Sequence, residues 1–587
     1  MNAGPASHDA TVSTARDTTP ETAAEARHTT DTDVVVVGSG FGGSVAALRL
    51  AEKGWRVTVC EAGRSFDADD YPRTSWDLRR FLWAPLLGCR GIQRITLLRD
   101  VLVLSGAGVG GGSLVYANTL YEPLPQFFDD PQWSHITDWR DELEPHYDTA
   151  RRMLGAVENP ADTPADDVMR GVAVDLGVAD TFHPTPVAVY FGDGPGVTAP
   201  DPFFGGRGPE RTGCSTCGSC MTGCRHGAKN TLDVNYLHLA KQLGTKVRAE
   251  TRVDDVRRND DGTFTVHTRR PGWGRRRTDT ITCRHVVLAA GALGTQRLLH
   301  QLHDLGRLPG MSERLGELTR TNSEAIVGAT AAPDADVDFT EGVAITSSFH
   351  PDDHTHVEPV RYGKGSNAMG LLATMLVDGG GRLPRPLRFL ASVVRHPRRF
   401  LRSLSVRRWS ERSVIVLVMQ SRDNSLRTVL RRGPFGLWRR ISTRQGHGDP
   451  NPTWIPQAND VARRVADRID GDPAGAWNEA LLDTPVTAHI IGGCAIAETA
   501  ADGVLDPYHR VHGEPGLHVV DGAAVSANLG VNPSLTITAM AERAMSLWPN
   551  VDDEDRRPDL GAGYERLDPV RPRRPIVPPD APAALRW

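Results

Sequence analysis

The 587-residue sequence lacks any run of about 18 apolar residues free of charge, so we expect no membrane-spanning helix. It also lacks a strong charge of either sign. The 67 basic and 72 acidic residues leave a net charge of −5, which argues against a nucleic-acid partner. Residues 1–30 contain no apolar run of signal-peptide length, and we expect a disordered leader on a cytoplasmic protein.

Cysteine is scarce, and its placement argues against a disulfide scaffold. Four of the eight cysteines are isolated, and the other four fall within eleven residues in the bacterial ferredoxin spacing C-x2-C-x2-C-x3-C. We predict these four as metal ligands, with an iron–sulfur cluster as the first interpretation. Zinc held by four thiolates, local disulfides and free thiols remain open alternatives. The predicted ligands are Cys214, Cys217, Cys220 and Cys224.

A dinucleotide-binding fingerprint opens at Val34. A run of four valines predicts a buried parallel strand, and Gly38-x-Gly40-x-x-Gly43 follows it directly. In such a motif the first glycine makes a tight turn, the second lets the backbone approach a pyrophosphate, and the third permits close helix packing. Glu61, at the end of the next predicted strand, suits ribose hydroxyls. The fingerprint alone does not distinguish FAD from NAD.

Three later segments repeat the same pattern, in which a short apolar strand is followed by glycines. Residues 106–112 contain five glycines, and such a loop can lie flat against a planar ligand. Residues 286–295 read as a buried strand that runs into a glycine-rich turn, and residues 517–521 form another short strand before Gly522. We therefore predict an extended cofactor, FAD, contacted by several separate parts of the chain.

Taken together, these motifs resemble the glucose–methanol–choline (GMC) oxidoreductases, and within that family most of all the cholesterol oxidases of actinobacterial type. The resemblance runs from about residue 33 to 548, in the order of the family. The matching segments are GSGFGGSVAALRLAEKG, GVGGGSLVYAN, RTNSE at 320–324, HIIGGC at 489–494 and GVNPSLTI at 530–537.

Oxidation of an alcohol by a flavin needs a base for the hydroxyl proton and a group that holds the oxygen. A histidine suits the first role and an asparagine amide the second. The resemblance assigns these roles to His489 and Asn532, and it adds Glu358 as a third catalytic candidate whose surroundings match less well. Outside the resemblance, a buried structural histidine, a helix-capping asparagine and a solvated glutamate are the alternatives.

The predicted cofactor-binding residues extend beyond the fingerprint. They are Gly38, Gly40, Gly43, Glu61, Gly106, Gly110, Gly111, Gly112, Ser113, Asn118, Val253, Gly291, Asp521, Gly522, Asn532 and Pro533.

For the fold, we predict an α/β protein in which a Rossmann-like FAD-binding domain of discontinuous segments is joined to an α+β substrate domain with a mixed or antiparallel sheet. The predicted divisions are a leader (1–30), the FAD-binding domain (31–150, 214–311 with the cysteines, and 481–550), a substrate or lid segment (151–213), the substrate-binding domain (312–480) and an irregular tail (551–587).

Within the predicted substrate-binding domain, residues 382–412 hold ten arginines and one acid, interleaved with apolar residues. This pattern is typical of an interfacial helix on an anionic membrane, although a solvated basic helix or a subunit contact would also fit. A sterol substrate would have to be drawn from a membrane.

The resulting hypothesis is FAD-dependent oxidation of an alcohol to a ketone, with a 3β-hydroxysteroid such as cholesterol as the substrate. The alternative is an FAD and iron–sulfur dehydrogenase for a sugar or another alcohol, which would pass electrons to a carrier protein instead of O2. A flavin- and iron-binding electron carrier without a substrate is the rival outside the enzyme class.

Overall fold

The computed structural model describes residues 30–272, 277–433 and 439–586, apart from the side chain of His447. The predicted leader therefore lies outside the described residues except for Thr30. Across the described ranges, no helix is long and apolar enough to cross a membrane. Two large sheets organise the chain, and residues of both line one cavity.

The first sheet has five parallel strands that come from widely separated parts of the chain. Their order is Lys246–Arg248, Val57–Cys60, Val34–Val37, His285–Leu288 and Leu517–Val519. The four-valine strand stands at the centre, and all four valines are buried, as expected for a parallel sheet covered on both faces. This confirms the prediction of a Rossmann-like domain built from discontinuous segments.

The turn after the central strand depends on glycine. Gly38 has a φ of +103°, and a Cβ there would lie 2.2 Å from the carbonyl oxygen of Ala289. Helix Phe41–Glu52 follows, and a Cβ on Gly43 would lie 2.2 Å from the carbonyl oxygen of Gly38. The helix and the strand therefore pack backbone against backbone, which positions the helix N-terminus over the carboxyl edge of the sheet.

The second sheet has seven strands, and every neighbouring pair is antiparallel. Helices Pro164–Asp175 and Pro456–Arg468 cover one face with apolar side chains. On the other face Ile326 and Leu417, which are register partners, line the cavity. The strand order is Ala373–Met375, Gly471–Ala476, Ala325–Ala331, Ser413–Gln420, Thr355–Val360, Ser347–Asp352 and His183–Pro184.

This second sheet confirms the predicted α+β substrate domain. One of its strands, His183–Pro184, belongs to the predicted substrate or lid segment 151–213. The exact domain boundaries stay predictions. Between residues 551 and 586 the structure has neither a helix nor a strand.

Smaller sheets and further helices complete the fold. Two sheets have three strands each: Arg252–Arg258, Phe264–Arg269 and Thr278–Cys283 in one, and Gln93–Leu97, Leu102–Gly106 and Val486–Thr487 in the other. The two-stranded pairs are Trp83–Ala84 with Cys89–Arg90, Val157–Glu158 with Pro186–Val187, Thr198–Ala199 with Arg211–Thr212, and Asn424–Arg432 with Arg439–Gly448. The other α-helices are Leu78–Phe81, Trp139–Leu154, Tyr236–Gln242, Ala292–Asp304, Arg385–Arg395, Pro397–Ser403, Trp409–Arg412, Trp477–Leu482 and Ser534–Ser546.

Candidate active site

A cavity of about 490 Å³ joins the two sheets. At one end it is lined by Val37 and Cys60, where strands of the parallel sheet finish, and by the glycine-rich loop that contains Gly111. At the other end the wall is apolar and largely aromatic or branched. The side chains there include Trp83, Leu104, Ile326, Ile345, Tyr362, Leu372, Trp409, Ile415 and Leu417. Such a cavity suits an extended cofactor at the glycine-rich end and an apolar substrate at the other.

The glycine-rich end leaves space where a phosphate-bearing cofactor would approach the backbone. No described heavy atom lies within 4 Å of a Cβ built on Gly40, which precedes the buried helix. A Cβ on Gly111 would lie 2.6 Å from the Gly40 Cα. The loop that contains Gly111 therefore packs directly against the backbone of the turn that contains Gly40. A bare backbone edge at a helix N-terminus is a suitable site for the pyrophosphate of FAD.

Glu61 is held at this end by the turn itself. Its Oε2 accepts from the Ser39 amide at 3.1 Å and from the Ser39 hydroxyl at 2.7 Å, and its Oε1 accepts from the Gly63 amide at 2.8 Å. Burial raises the pKa of Glu61 above its ordinary value. The carboxyl group lines the cavity, which is the position that ribose binding requires.

Asp521 has a comparable position just after the last strand of the parallel sheet, Leu517–Val519. It accepts hydrogen bonds from the Thr295 hydroxyl at 2.5 Å and from the Ala523 amide at 2.8 Å. Burial raises its pKa to about 6. The hydrogen bonds fix the orientation of the carboxyl group beside Gly291 and Gly522, and all three residues line the cavity.

Most of the residues predicted to bind the cofactor line this cavity. They are Gly38, Gly40, Glu61, Gly106, Gly111, Gly112, Val253, Gly291, Asp521, Gly522, Asn532 and Pro533.

Four other predicted cofactor residues lie behind the cavity wall. Gly43 packs between the first strand and its helix. The Ser113 hydroxyl donates to the Gly110 carbonyl oxygen at 2.7 Å and accepts from the Leu232 amide at 3.0 Å. Asn118 is fully buried and adopts a positive φ of 71°. These residues shape the backbone around the cavity and do not line it.

His489 is oriented by a buried carboxylate. Its Nδ1 lies 2.9 Å from Oε2 of Glu324, and because a carboxylate only accepts, Nδ1 carries the proton and donates. Glu324 is itself held by the Thr487 hydroxyl at 2.8 Å. The Nε2 atom of His489 is therefore left as an acceptor at the cavity, which is the tautomer that a base requires.

Asn532 connects His489 to Glu358. Its Nδ2 donates to Nε2 of His489 at 3.4 Å and to Oε2 of Glu358 at 3.3 Å. Its Oδ1 is buried and has no hydrogen-bond partner among the described residues. The structure thus brings the three predicted catalytic residues together. Glu358 lies behind the cavity wall, because it is fully buried and does not line the cavity.

Burial and neighbouring charges determine the protonation states of His489 and Glu358. Burial alone would lower the pKa of His489, but the charge and the hydrogen bond of Glu324 outweigh this and raise that pKa above its ordinary value. Burial raises the pKa of Glu358 to about 8, so this carboxyl group is protonated at neutral pH. The solvated surface glutamate considered as an alternative for Glu358 is thereby excluded.

Sequence reasoning missed two members of the site, Glu324 and His356. Glu324 closes the RTNSE motif, but no local pattern indicates that it reaches His489. His356 donates or accepts through Nε2 at 3.0 Å from Oε1 of Glu358. The spacing His-x-Glu was the available signal, because residues two apart on a strand share one face.

The four cysteines do not form a ligand set. Within residues 30–272, 277–433 and 439–586, no three His, Cys, Asp or Glu side chains are arranged to hold a metal ion. Cys217 is exposed, and the other three are partly buried against a small apolar cluster that contains Val187 and Val343. Burial raises the pKa of Cys214 to about 12. The iron–sulfur and zinc interpretations of Cys214, Cys217, Cys220 and Cys224 therefore find no support in this arrangement.

Comparison with known proteins agrees with the site. Models of GMC oxidoreductases match residues 209–302 and 416–541, and a model of an FAD binding domain matches residues 33–69. A cholesterol oxidase of Mycobacterium tuberculosis (strain ATCC 25618 / H37Rv) is 60% identical over 95% of this chain and 98% of its own length. The chain belongs to the GMC oxidoreductase family. The predicted family, the FAD-binding domain and the oxidoreductase class are thereby confirmed.

More distant relatives of this GMC oxidoreductase show how far the likeness extends. A cholesterol oxidase of Acinetobacter baumannii is 43% identical over 88% of this chain and 94% of its own. Among solved structures, a pyridoxine 4-oxidase from Mesorbium loti aligns with a TM-score of 0.54 at 15% identity, over 88% of this chain and 98% of the other. The structural match shows the fold alone.

Proposed function

We propose that this protein oxidises the 3β-hydroxyl group of a sterol such as cholesterol to a ketone. The observation that carries the proposal is that His489, oriented by Glu324, lines the same cavity as the glycine-rich edge and the apolar wall. A base at this point suits an alcohol held between a flavin and an apolar wall.

Each residue of the site has a separate role in the proposed reaction. Bound FAD supplies the acceptor for the hydride that leaves the carbinol carbon. His489 Nε2 accepts the hydroxyl proton, and Glu324 stabilises the imidazolium that results. Asn532 positions the hydroxyl oxygen through Nδ2, the amide donor that lies 3.4 Å from Nε2 of His489. Pro533 and the helix Ser534–Ser546 hold Asn532 in place.

Two lines of evidence support a sterol as the substrate. The wall beyond the catalytic residues is built from Tyr362, Trp409, Ile415 and similar side chains, which offer a fused-ring hydrocarbon a large apolar contact. The relatives at 60% and 43% identity are both named cholesterol oxidase. The same names support O2 as the acceptor of the flavin's electrons.

Aerobic turnover tests this proposal. Purified protein should convert cholesterol to its 3-ketone and release one hydrogen peroxide per ketone. The 3α-hydroxy epimer is the matched control, because its carbinol hydrogen faces the opposite side and it should react at least about tenfold more slowly, which corresponds to a barrier difference of about 1.4 kcal/mol. Turnover of a sugar in preference to either sterol would contradict the proposal.

We also propose that the surface formed by residues 382–412 contacts an anionic membrane. On helix Arg385–Arg395 the side chains of Leu387, Leu390 and Val394 are between 54% and 75% exposed. Leu401 on the next helix is 66% exposed. Exposed leucines interspersed with arginines match the apolar and positive character of an interfacial helix.

Vesicle co-sedimentation tests this surface. The protein should bind phosphatidylserine vesicles more strongly than phosphatidylcholine vesicles, and Leu390→Glu should weaken that binding several-fold. Val174→Glu is the matched control, since Val174 is equally exposed at 59% on a helix of the other part of the substrate domain. Equal loss in both variants, or no preference for anionic vesicles, would overturn the membrane proposal.

A further inference from the structure

A second cavity, of about 370 Å³, adjoins the surface formed by residues 382–412. Residues of helices Arg385–Arg395 and Pro397–Ser403 line it, together with residues of strands Ala373–Met375 and Gly471–Ala476. Four residues line both this cavity and the active-site cavity, namely Thr330, Ala373, Trp409 and Ala474. The two cavities therefore share a wall.

The lining of this second cavity holds more basic than acidic side chains. Its arginines are Arg388, Arg399, Arg402, Arg412 and Arg463, its aspartates are Asp378 and Asp472, and His396 also lines it. Asp472 pairs with Arg402 at 2.7 Å and with Arg399 at 3.3 Å. Asp378 pairs with Arg463 at 2.6 Å. With the histidine neutral, five arginines against two aspartates leave the lining with a net charge of +3.

Arg412 is a buried positive charge without an acidic partner in the described part of the chain. Its side chain lines the second cavity and the residue is only 2% exposed. Its Nε and Nη2 donate to the carbonyl oxygen of Arg407 at 3.1 and 2.8 Å, and its Nη1 donates to that of Ala331. The neighbouring Glu411 accepts from the Ser410 hydroxyl at 2.7 Å instead. Because a guanidinium stays charged and a buried charge is costly without a counter-charge, this position favours a bound anion.

Hydroxyl groups add neutral hydrogen-bond donors to these charges. Ser392, Ser403 and Ser405 line the second cavity, and so does Thr374. Thr374 is fully buried, and its hydroxyl has no hydrogen-bond partner among the residues that the structure describes. Guanidinium groups together with hydroxyl donors match the oxygen acceptors of a phosphate group, which arginine binds with two N–H donors at once.

We infer that this second cavity binds a phosphate group, with Arg412 as its buried counter-charge. The inference extends the membrane contact proposed above and rests on it only for the source of the phosphate, the headgroup of an anionic phospholipid. Leu387 and Leu390 are 54% and 59% exposed on the helix that contributes Arg388, so apolar anchors lie beside the basic cavity. A headgroup bound here holds the shared wall of the active-site cavity against the membrane that supplies a sterol.

Calorimetric titration with inorganic phosphate, in a low-salt buffer free of phosphate, tests the site itself. Wild type should bind phosphate. Ser392→Glu places a carboxylate in the lining and should weaken binding at least about tenfold, because like charges repel and the new acid pairs with the arginines. Arg412→Met should weaken binding as strongly, since it removes the buried charge.

Two variants serve as matched controls for Ser392→Glu. Ser392→Gln has the same size but no charge and keeps a hydrogen-bond donor. Arg395→Met changes the net charge by the same amount on the same helix, but Arg395 is exposed and does not line the cavity. Both should bind phosphate as wild type does. A wild type that binds no phosphate, or a Ser392→Glu protein that binds it as wild type does, would overturn the site.

Co-sedimentation with phosphatidylserine vesicles tests the source of the phosphate. Ser392→Glu should lose several-fold more vesicle binding than Arg395→Met, although the two variants change the net charge equally. Equal loss in both would overturn the lipid headgroup as the source and leave free phosphate as the ligand. Turnover of cholesterol in detergent is measured on the same wild-type preparation. Its absence would contradict the proposed oxidation and not the phosphate site, because neither binding measurement depends on the flavin.

Discussion

Two groups of reactive side chains in this protein are assembled in opposite ways. The catalytic group (His489, Asn532, Glu324 and Glu358) comes from four separate segments, yet each member is hydrogen-bonded to another. The cysteine group (Cys214, Cys217, Cys220 and Cys224) comes from eleven consecutive residues, yet no three of its thiols are arranged to hold a metal ion in the described structure. A reactive group in this protein therefore depends on side chains that meet in the folded structure and hold one another by hydrogen bonds. Closeness along the chain does not ensure either.

The two groups differ in the strength of the hydrogen bonds that hold their side chains. A hydrogen bond to a charged partner, such as that from His489 to Glu324, is worth about 1.5–3 kcal/mol, and it also selects one imidazole tautomer. In the cysteine group the Thr216 amide lies 3.4 Å from Sγ of Cys214, and Cys217 is exposed to solvent. Substitutions in the two groups should therefore differ widely in their effect on turnover.

The largest effect is expected for His489→Ala. Loss of the proton acceptor should lower kcat for cholesterol by about 100- to 10,000-fold, the usual contribution of a positioned base. The measurement is steady-state peroxide formation, with the flavin content checked by absorbance so that loss of FAD is not mistaken for loss of the base. Turnover within about tenfold of wild type would show that another group accepts the proton.

Glu324→Gln should have the next largest effect, because it keeps a hydrogen-bond acceptor but removes the charge. Glu324 raises the pKa of His489, so without it that pKa falls. His489 must be neutral to act as a base, and the acidic limb of the kcat/KM profile should therefore move to lower pH, while kcat falls by about 10- to 100-fold as the imidazolium loses its partner.

A pH–rate series on Glu324→Gln and wild type makes this measurement. Thr487→Val is the matched control, since it removes a neighbour of Glu324 and leaves the charge in place. An acidic limb that stays where it is, or that moves to higher pH, would mean that His489 is not the group that titrates.

The smallest effect is expected in the cysteine group. Cys217→Ser changes an exposed thiol outside the cavity, and it should leave both kcat with O2 and the flavin spectrum within about twofold of wild type. Iron and acid-labile sulfide are measured on the same anaerobic preparations. Iron present in wild type and lost in Cys217→Ser, together with slower transfer to an artificial acceptor, would revive the cluster interpretation.

The features that sequence predicts best are those that depend on neighbouring residues. The four-valine strand, the turn at Gly38 and the close packing at Gly43 follow from local sterics, and all appear in the structure. Glu324 and His356 could not be placed in this way, because they reach the site only when strands far apart in the chain pair or pack together. Only an established likeness or a structure supplies that information.

The cysteine group shows what sequence spacing does not determine. Spacing indicates that four thiols are close along the chain, but it does not indicate where they point. The intervening backbone turns sharply, with positive φ angles at Thr216, Gly218 and Gly223. These turns, and packing against Val187, decide the side-chain directions. A spacing motif is therefore weaker evidence for a metal site than it appears when the loop between its ligands is rich in glycine.

Anaerobic flavin reduction by cholesterol that carries deuterium at C3 tests the central claim most directly. The proposed site predicts that the flavin absorbance bleaches in a single turnover, that deuterium slows the bleaching by about two- to sevenfold because the C–H bond breaks, and that His489→Ala bleaches about 100-fold more slowly or worse. A flavin that stays oxidised in the presence of cholesterol, or one that His489→Ala reduces at the wild-type rate, would contradict it.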